Sequence, residues 1–387
     1  MLTQYQLKMP RAVYCGADVL SKITDIIRET GAKKVIILTD RGIRAAGLLA
    51  LVEDAVRASG ADYTVLDGIE AEPTYMAVQG IIDQCRQIGT DLVLACGGGS
   101  VMDTAKLASV LMTDDYDIRD LLDTPSKARK CIPSILVPTT AGTGSEATPN
   151  AIVAVPEKML KVGIVNDSMI ADYAVLDARM IRNLPRSIAA ATGVDALAHA
   201  IECYTSNKAN PISDTFALEA LDMILTHIEA ACDSADQMEA KSSMLLAAFY
   251  AGVAITASGT TAVHALSYPL GGKYHIAHGV SNAMLLVPVM KFNEPFCRER
   301  LAKAYDRCCR DEIRCQTAEE KSAWIIRRLD EIVRHLDIPT SLSRDFHVPK
   351  EDLNGLVAAG MQVMRLLNNN IRKLTAEDAR KIYQEVL

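Results

Sequence analysis

Four short runs set the strongest limit on how this chain can fold: Val35-Ile36-Ile37-Leu38-Thr39, Tyr63-Thr64-Val65-Leu66, Leu92-Val93-Leu94-Ala95 and Ile135-Leu136-Val137. Each has strand length, is rich in β-branched residues and is bounded by Gly, Pro or Asp. Amphipathic stretches at residues 19–28, 46–58 and 75–87 precede the first three runs in turn, so helix and strand alternate. Such alternation builds βαβ units, and the expected domain is a doubly wound, mostly parallel, Rossmann-like α/β sheet. After Pro185 the strand-like runs stop. Helical patterns follow at residues 187–206, 212–231, 240–257, 294–307, Ala318–His335 and in a C-terminal set ending at Leu387. Pro269, Pro288 and Pro339 are expected to mark turns or helix ends. The chain therefore divides into an α/β domain at 1–185 and an all-helical domain at 186–387. With no linker or repeat between them, the two are expected to pack directly and leave a cleft where ligands bind.

At 387 residues the chain has room for two full cores. A net charge of -7 argues against nucleic-acid and anionic-membrane partners, which need basic surface to neutralise phosphate, and favours a small-molecule ligand. The start, MLTQYQLKMP, lacks the basic-then-apolar pattern of a signal peptide, and no apolar run approaches membrane-spanning length. Ten cysteines are scattered without a C-x-x-C pair, as expected of reduced thiols in a cytoplasmic protein.

The stretch GVDALAHAIECY places Asp195 and His199 four residues apart, on one face of a helix. Two more histidines, His264 and His278, bracket the loop-like segment HALSYPLGGKYHIAHG. We read the four as ligands closing on one divalent metal. The other reading is a buried Asp–His hydrogen bond beside unrelated core histidines.

Two segments point to a nucleotide. Gly97-Gly98-Gly99-Ser100-Val101-Met102-Asp103-Thr104-Ala105-Lys106 follows one strand and opens a helix. Its glycines let backbone N–H groups approach a pyrophosphate, and the helix start adds its positive dipole end. A tight strand-to-helix turn needs glycine too. Pro138-Thr139-Thr140-Ala141-Gly142-Thr143-Gly144-Ser145-Glu146 follows another strand, with hydroxyls and small residues suited to the ribose and phosphates, or to an ordinary polar loop. Asp40, after the first strong strand, can accept from an adenosine ribose and repel a 2′-phosphate, favouring NAD over NADP; a turn aspartate would look the same.

GGGSVMDTAK, TTAGTGSE, TGVDALAHAIECYTS and HALSYPLGGKYHIAHGVSNAMLL, in that order, resemble the iron-containing (group III) alcohol dehydrogenase family over essentially the whole chain. The resemblance implies metal ligation by Asp195, His199, His264 and His278. It implies NAD(H) contacts from Asp40, Gly98, Gly99, Ser100, Asp103, Thr139, Thr140, Thr143, Ser145, Thr148 and Lys161. Asn150 falls where a member carries an asparagine near nicotinamide and substrate. Tyr268 stands where many members carry another histidine, and His275 is a substitute for it if that side chain faces the cleft; otherwise it is a solvent-exposed loop residue. Ile255 and Ala257 replace a Phe and an Asn common in members, so the pocket wall differs. Catalytic roles are accordingly expected of His278, Asn150 and His275.

The implied reaction is reversible hydride transfer between a small alcohol and NAD, with the metal as Lewis acid on the substrate oxygen. Three nitrogens and one oxygen suit Fe²⁺ or Zn²⁺; Fe²⁺ is preferred on the resemblance. A homodimer or higher homo-oligomer is the default assembly. Rival readings are a metal-independent oxidoreductase of the same fold and a non-catalytic NAD- and metal-binding assembly protein.

Overall fold

The computed structural model describes residues 4–158, 160–312 and 314–387. They form two compact units, Lys8–Leu184 and Pro185–Leu387, the latter joined by the residues before Lys8. In the first unit the elements run β1 (Ala12–Cys15), α1 (Lys22–Thr30), β2 (Lys34–Leu38), α2 (Arg41–Ala45), α3 (Leu49–Ser59), β3 (Asp62–Leu66), α4 (Tyr75–Ile88), β4 (Leu92–Gly97), α5 (Gly99–Val110), α6 (Ile118–Asp123), β5 (Ser134–Pro138), β6 (Asn150–Val155), β7 (Leu160–Val165) and β8 (Tyr173–Leu176).

Six of these strands form one sheet in the order β1-β8-β5-β4-β2-β3, with every pairing parallel. Both faces are covered, which is why the central strands read as continuous apolar runs. Val35 and Ile37 of β2, Leu92 and Leu94 of β4, and Ile135 and Val137 of β5 pack with α1 and α3 residues such as Ile27 and Val52. The alternate positions, Ile36, Leu38, Val93, Ala95 and Leu136, pack with Val78 of α4, Met102 and Ala105 of α5, and Leu121 of α6. The four strands expected from sequence are all present. To them the structure adds β1 and β8, and a separate antiparallel hairpin of β6 and β7.

Strand order reverses at β2, which has β3 on one side and β4 on the other. Loops at the carboxyl ends of strands beside such a reversal are where open α/β sheets bind ligands. The register puts three strand ends together there: β2 pairs with β4 up to Leu38↔Ala95, and β4 with β5 up to Gly97↔Pro138.

The second unit is helical: α7 (Arg186–Thr205), α8 (Pro211–Asp233), α9 (Met238–Ala257), α10 (Ala262–Tyr274), α11 (His278–Cys308), α12 (Ala318–His335), then α13 (Leu342–Phe346), α14 (Leu353–Gly360), α15 (Met364–Leu367) and α16 (Ala376–Val386). Three expectations are corrected here. The segment between His264 and His278 is helix α10 as far as Tyr274, with Pro269 inside it. Proline there costs a backbone hydrogen bond, but Leu266 and Leu270 are fully buried, and the Tyr383 hydroxyl donates to the Leu266 carbonyl at 2.6 Å. Pro288 likewise lies within α11, whose one break in helical geometry is at Cys297 (φ -126°, ψ 15°). Finally, α9 is 20 residues long and apolar enough to cross a membrane by length and composition. It packs against α7 and α8 and is mostly buried in the unit, as a core helix is.

Candidate functional site

In the helical unit one cluster gathers on three helices. Asp195, His199 and Glu202 occupy positions i, i+4 and i+7 of α7, a single face that is buried. His264 enters from the first turn of α10, and His278 opens α11. All three imidazoles aim Nε2 at one oxygen, Asp195 Oδ1, at 3.9 Å for His199, 3.6 Å for His264 and 3.8 Å for His278. Donors bound at about 2.1 Å around a tetrahedral ion stand roughly 3.4 Å apart, so this set needs little contraction to hold one. Asp195, His199 and His264 offer donor atoms all within 4.8 Å of one another and are buried; His278 completes the ring of nitrogens around the same oxygen while half-exposed.

The electrostatics fit a cation site. Burial opposes charge on Asp195, yet His199, His278 and His264 outweigh it and hold its carboxyl far below the usual carboxylate range. Burial also opposes a charged His264, but Glu202 and Asp195 together lift its pKa to about 9. Glu202, fully buried, hydrogen-bonds His264 Nδ1 through Oε2. Its Oε1 accepts from Thr261 N at 3.0 Å, Thr261 Oγ1 at 2.5 Å and Val263 N at 2.8 Å. The carboxylate thus fixes the ring so that Nε2 faces the donors, the role such outer carboxylates play at metal sites. Glu202 was not among the residues expected from sequence, although its i+7 position on the Asp195 face was visible there. Tyr268 lies one turn beyond His264, its ring centroid 6.1 Å from that of His278. His275 takes the left-handed position (φ 54°) that ends α10 and is exposed.

In the α/β unit the two glycine-bearing loops meet. A Cβ at Gly99 would lie 2.9 Å from Thr143 Cγ2, closer than side chains normally approach, while one at Gly98 would make only ordinary contact with Thr140 Oγ1 at 3.6 Å, so the close approach of the two loops rests on Gly99. Gly98 is the N-cap of α5 and offers its first turn no side-chain acceptor. Thr140 Oγ1 is buried with no hydrogen-bond partner among the described residues. Bare helix-start N–H groups and an orphaned hydroxyl in a cradle without side chains fit a pyrophosphate. Asp40 stands at the neighbouring strand end, with one carboxylate oxygen capping α2 by accepting from Ile43 N at 2.9 Å.

Other expected contacts lie beneath the cradle. Asp103 accepts from Ser145 Oγ at 2.5 Å and Ile152 N at 2.8 Å, and pairs with Lys106 at 2.9 Å. Lys106, fully buried, donates to the carbonyls of Ser145 at 3.0 Å, Thr148 and Asn150, and to Thr148 Oγ1 at 3.3 Å. Asp103 and Lys106 thereby tie the second loop to α5. Thr139 donates its N–H to the Gly97 carbonyl at 3.1 Å. Ser100 Oγ accepts from Glu72 N at 3.0 Å, and Lys161 pairs with Glu72 at 2.6 Å.

Glu146, in the same loop, is fully buried; burial lifts its pKa from 4.5 to about 7, and Lys106 offsets this only in part. The folded chain then holds this proton more tightly than the unfolded chain does. Its contribution to stability is complete below about pH 4.5 and lost as pH rises through about 7, a change of about 3 kcal/mol. Denaturant unfolding of wild type and Glu146→Gln across that range should show the difference between them shrinking or reversing by about that amount. Parallel curves would place no titrating proton on Glu146.

Comparison with known proteins is consistent along the whole chain. The family model "Iron-containing alcohol dehydrogenase" matches residues 10–178, and "Fe-containing alcohol dehydrogenase family, C-terminal" matches residues 189–387. Long-chain-alcohol dehydrogenase 1 of Geobacillus thermodenitrificans is 33% identical over 382 residues, covering 98% of this chain and 96% of its own. Lactaldehyde reductase of Escherichia coli is 31% identical, covering 95% and 96%. Among solved structures, an alcohol dehydrogenase from Oenococcus oeni superposes with a TM-score of 0.93 at 30% identity over 99% of this chain and all of its own. A sulfoacetaldehyde reductase from Bifidobacterium kashiwanohense in complex with NAD⁺ gives 0.89 at 27% identity over 100% and 99%.

Proposed function

The chain belongs to the iron-containing alcohol dehydrogenase family, and on that premise we propose that Asp195, His199, His264 and His278 hold its divalent metal. The family makes it an NAD-dependent oxidoreductase interconverting alcohols and aldehydes. The observation that carries the residue assignment is the convergence of three imidazole Nε2 atoms within 3.9 Å of one Asp195 oxygen. In the α/β unit we assign the pyrophosphate to Gly98, Gly99, Ser100 and the α5 start, with Thr140 and Thr143 closing over it and Asp40 at the ribose end. Asp103, Ser145, Thr148 and Lys161 act by holding the cradle's shape.

When bound, a divalent ion supplies Lewis acidity toward the alcohol oxygen, and NAD⁺ supplies the hydride acceptor. The chain's own part is electrostatic and positional. Asp195 stays ionised and offsets the ion's charge. Glu202 holds the His264 ring, so that its Nε2 is presented without reorganisation. Tyr268 lies beside His278 and fills space next to the donors, which favours a small alcohol. One relative is named for long-chain alcohols and another for lactaldehyde, so the small-alcohol reading is drawn from Tyr268 and not from the relatives.

Fe²⁺ is the proposed resident ion, with Zn²⁺ as the alternative the same donors admit. A cytoplasmic setting and a homodimer or larger homo-oligomer complete the proposal; ten cysteines, none bridged, support a reducing compartment. The test is a panel of short aldehydes, diol precursors and longer aldehydes with NADH and NADPH, on protein loaded with Fe²⁺ and with Zn²⁺. Turnover with short aldehydes and NADH is expected. A preference for NADPH would remove Asp40 from its ribose role, and failure of every substrate with loaded protein would favour a binding function.

A further inference from the structure

Asn282 lies one turn into α11, four residues after His278, and is fully buried. Its amide nitrogen points into the donor set. Nδ2 stands 2.7 Å from Asp195 Oδ1, 3.1 Å from His264 Nε2 and 3.2 Å from His278 Nε2. Its other end is the reverse: Oδ1 is buried with no hydrogen-bond partner among the described residues.

An orphaned buried acceptor is costly, and proteins seldom keep one without a use. Here the positive end of an amide dipole stands among a carboxylate and two imidazoles, while the negative end is left unsatisfied. At the Asp195 carboxylate the N–H group stands where a cation would. Once an ion takes the donors' lone pairs, the preference inverts. The N–H end then faces positive charge, and the carbonyl end is the one an ion attracts. The two ends of an asparagine amide have nearly the same shape, so half a turn of the side-chain amide exchanges them without moving the helix.

We propose that Asn282 is a positioning residue for the ion, holding the Asp195 carboxylate through Nδ2 in the metal-free protein and turning Oδ1 toward the ion when it binds. This rests on the four-donor reading of the metal site. It goes beyond that reading by giving a neutral amide a part in metal affinity.

The test is competition for Zn²⁺ between the metal-free full-length chain and a chromophoric chelator, with thermal unfolding of each metal-free protein alongside. Asn282→Leu removes both ends of the amide and is expected to weaken binding about 10- to 100-fold, the range for groups that support metal ligands. Asn282→Asp keeps an acceptor and removes the donor. It should bind Zn²⁺ at least as tightly as wild type, while its metal-free form unfolds at lower temperature because a second carboxylate faces Asp195. If Asn282→Asp binds as weakly as the leucine variant, or if Asn282→Leu binds like wild type, the proposal fails and the four-donor site stands. Should Asn282→Leu not fold, the aspartate variant decides alone. Absence of Zn²⁺ binding by wild type would overturn the four-donor reading itself.

Discussion

Replacing His264 by alanine is expected to strip most of the bound metal from the protein and to lower aldehyde turnover by more than about 100-fold. Loss of a residue that merely supports a metal ligand already costs about 10- to 100-fold, and His264 is one of the four proposed donors. The substitution also leaves Glu202, fully buried, without the imidazole that balances its charge. Both effects act inside the helical unit. NAD(H) should still bind, because the glycine loops are built by a separate compact unit. Metal content by elemental analysis, turnover and NADH titration on one preparation separate the three quantities. Full metal occupancy with unchanged turnover would end the four-donor assignment.

Lys106→Met should have the second largest effect, and in the other unit. The ammonium satisfies the carbonyls of Ser145, Thr148 and Asn150, the Thr148 hydroxyl and the Asp103 carboxylate, with no part of the side chain exposed. Methionine fills similar volume but donates nothing, so a buried carboxylate loses its counter-charge and a loop loses its tether. Breaking a buried pair from one side costs about 3–5 kcal/mol. The unfolding midpoint of the α/β unit should fall accordingly, and NADH affinity should drop by about tenfold or more as the second loop loosens. Metal content should hold. An unchanged midpoint would show that Asp103 and the carbonyls find other partners, and that Lys106 does not organise the cradle.

How much of this was legible in sequence depends on which force governs each piece. β2, β3, β4 and β5 were readable because a strand between helices is marked by its flanking pattern. β6 and β7 were not, since Pro156–Lys158 joins them instead of a crossover helix and they stand outside the alternation. β1 and β8 are four residues each, too short to register before their pairing is known. α10 was hidden by Pro269, Gly271 and Gly272, local breakers that burial overrules. Asp195 and His199 were visible as a helical pair, and the glycine loops as a possible cradle. What spacing could not show is function carried by contact. Glu202 acts only through the ring it holds, Asn282 is a neutral amide with no motif of its own, and Lys106 works from beneath a loop that lies some forty positions further along the chain.

On the proposed assignment, this alcohol dehydrogenase works through an ion held by Asp195, His199, His264 and His278. The most direct test is NADH consumption with a short aldehyde, followed on one preparation as isolated, after removal of metal by a chelator, and after return of Fe²⁺ or Zn²⁺. Turnover should disappear with the metal and return as about one ion per chain is restored. Turnover that survives complete removal of metal would contradict the assignment, and would make the chain a metal-independent oxidoreductase of the same fold.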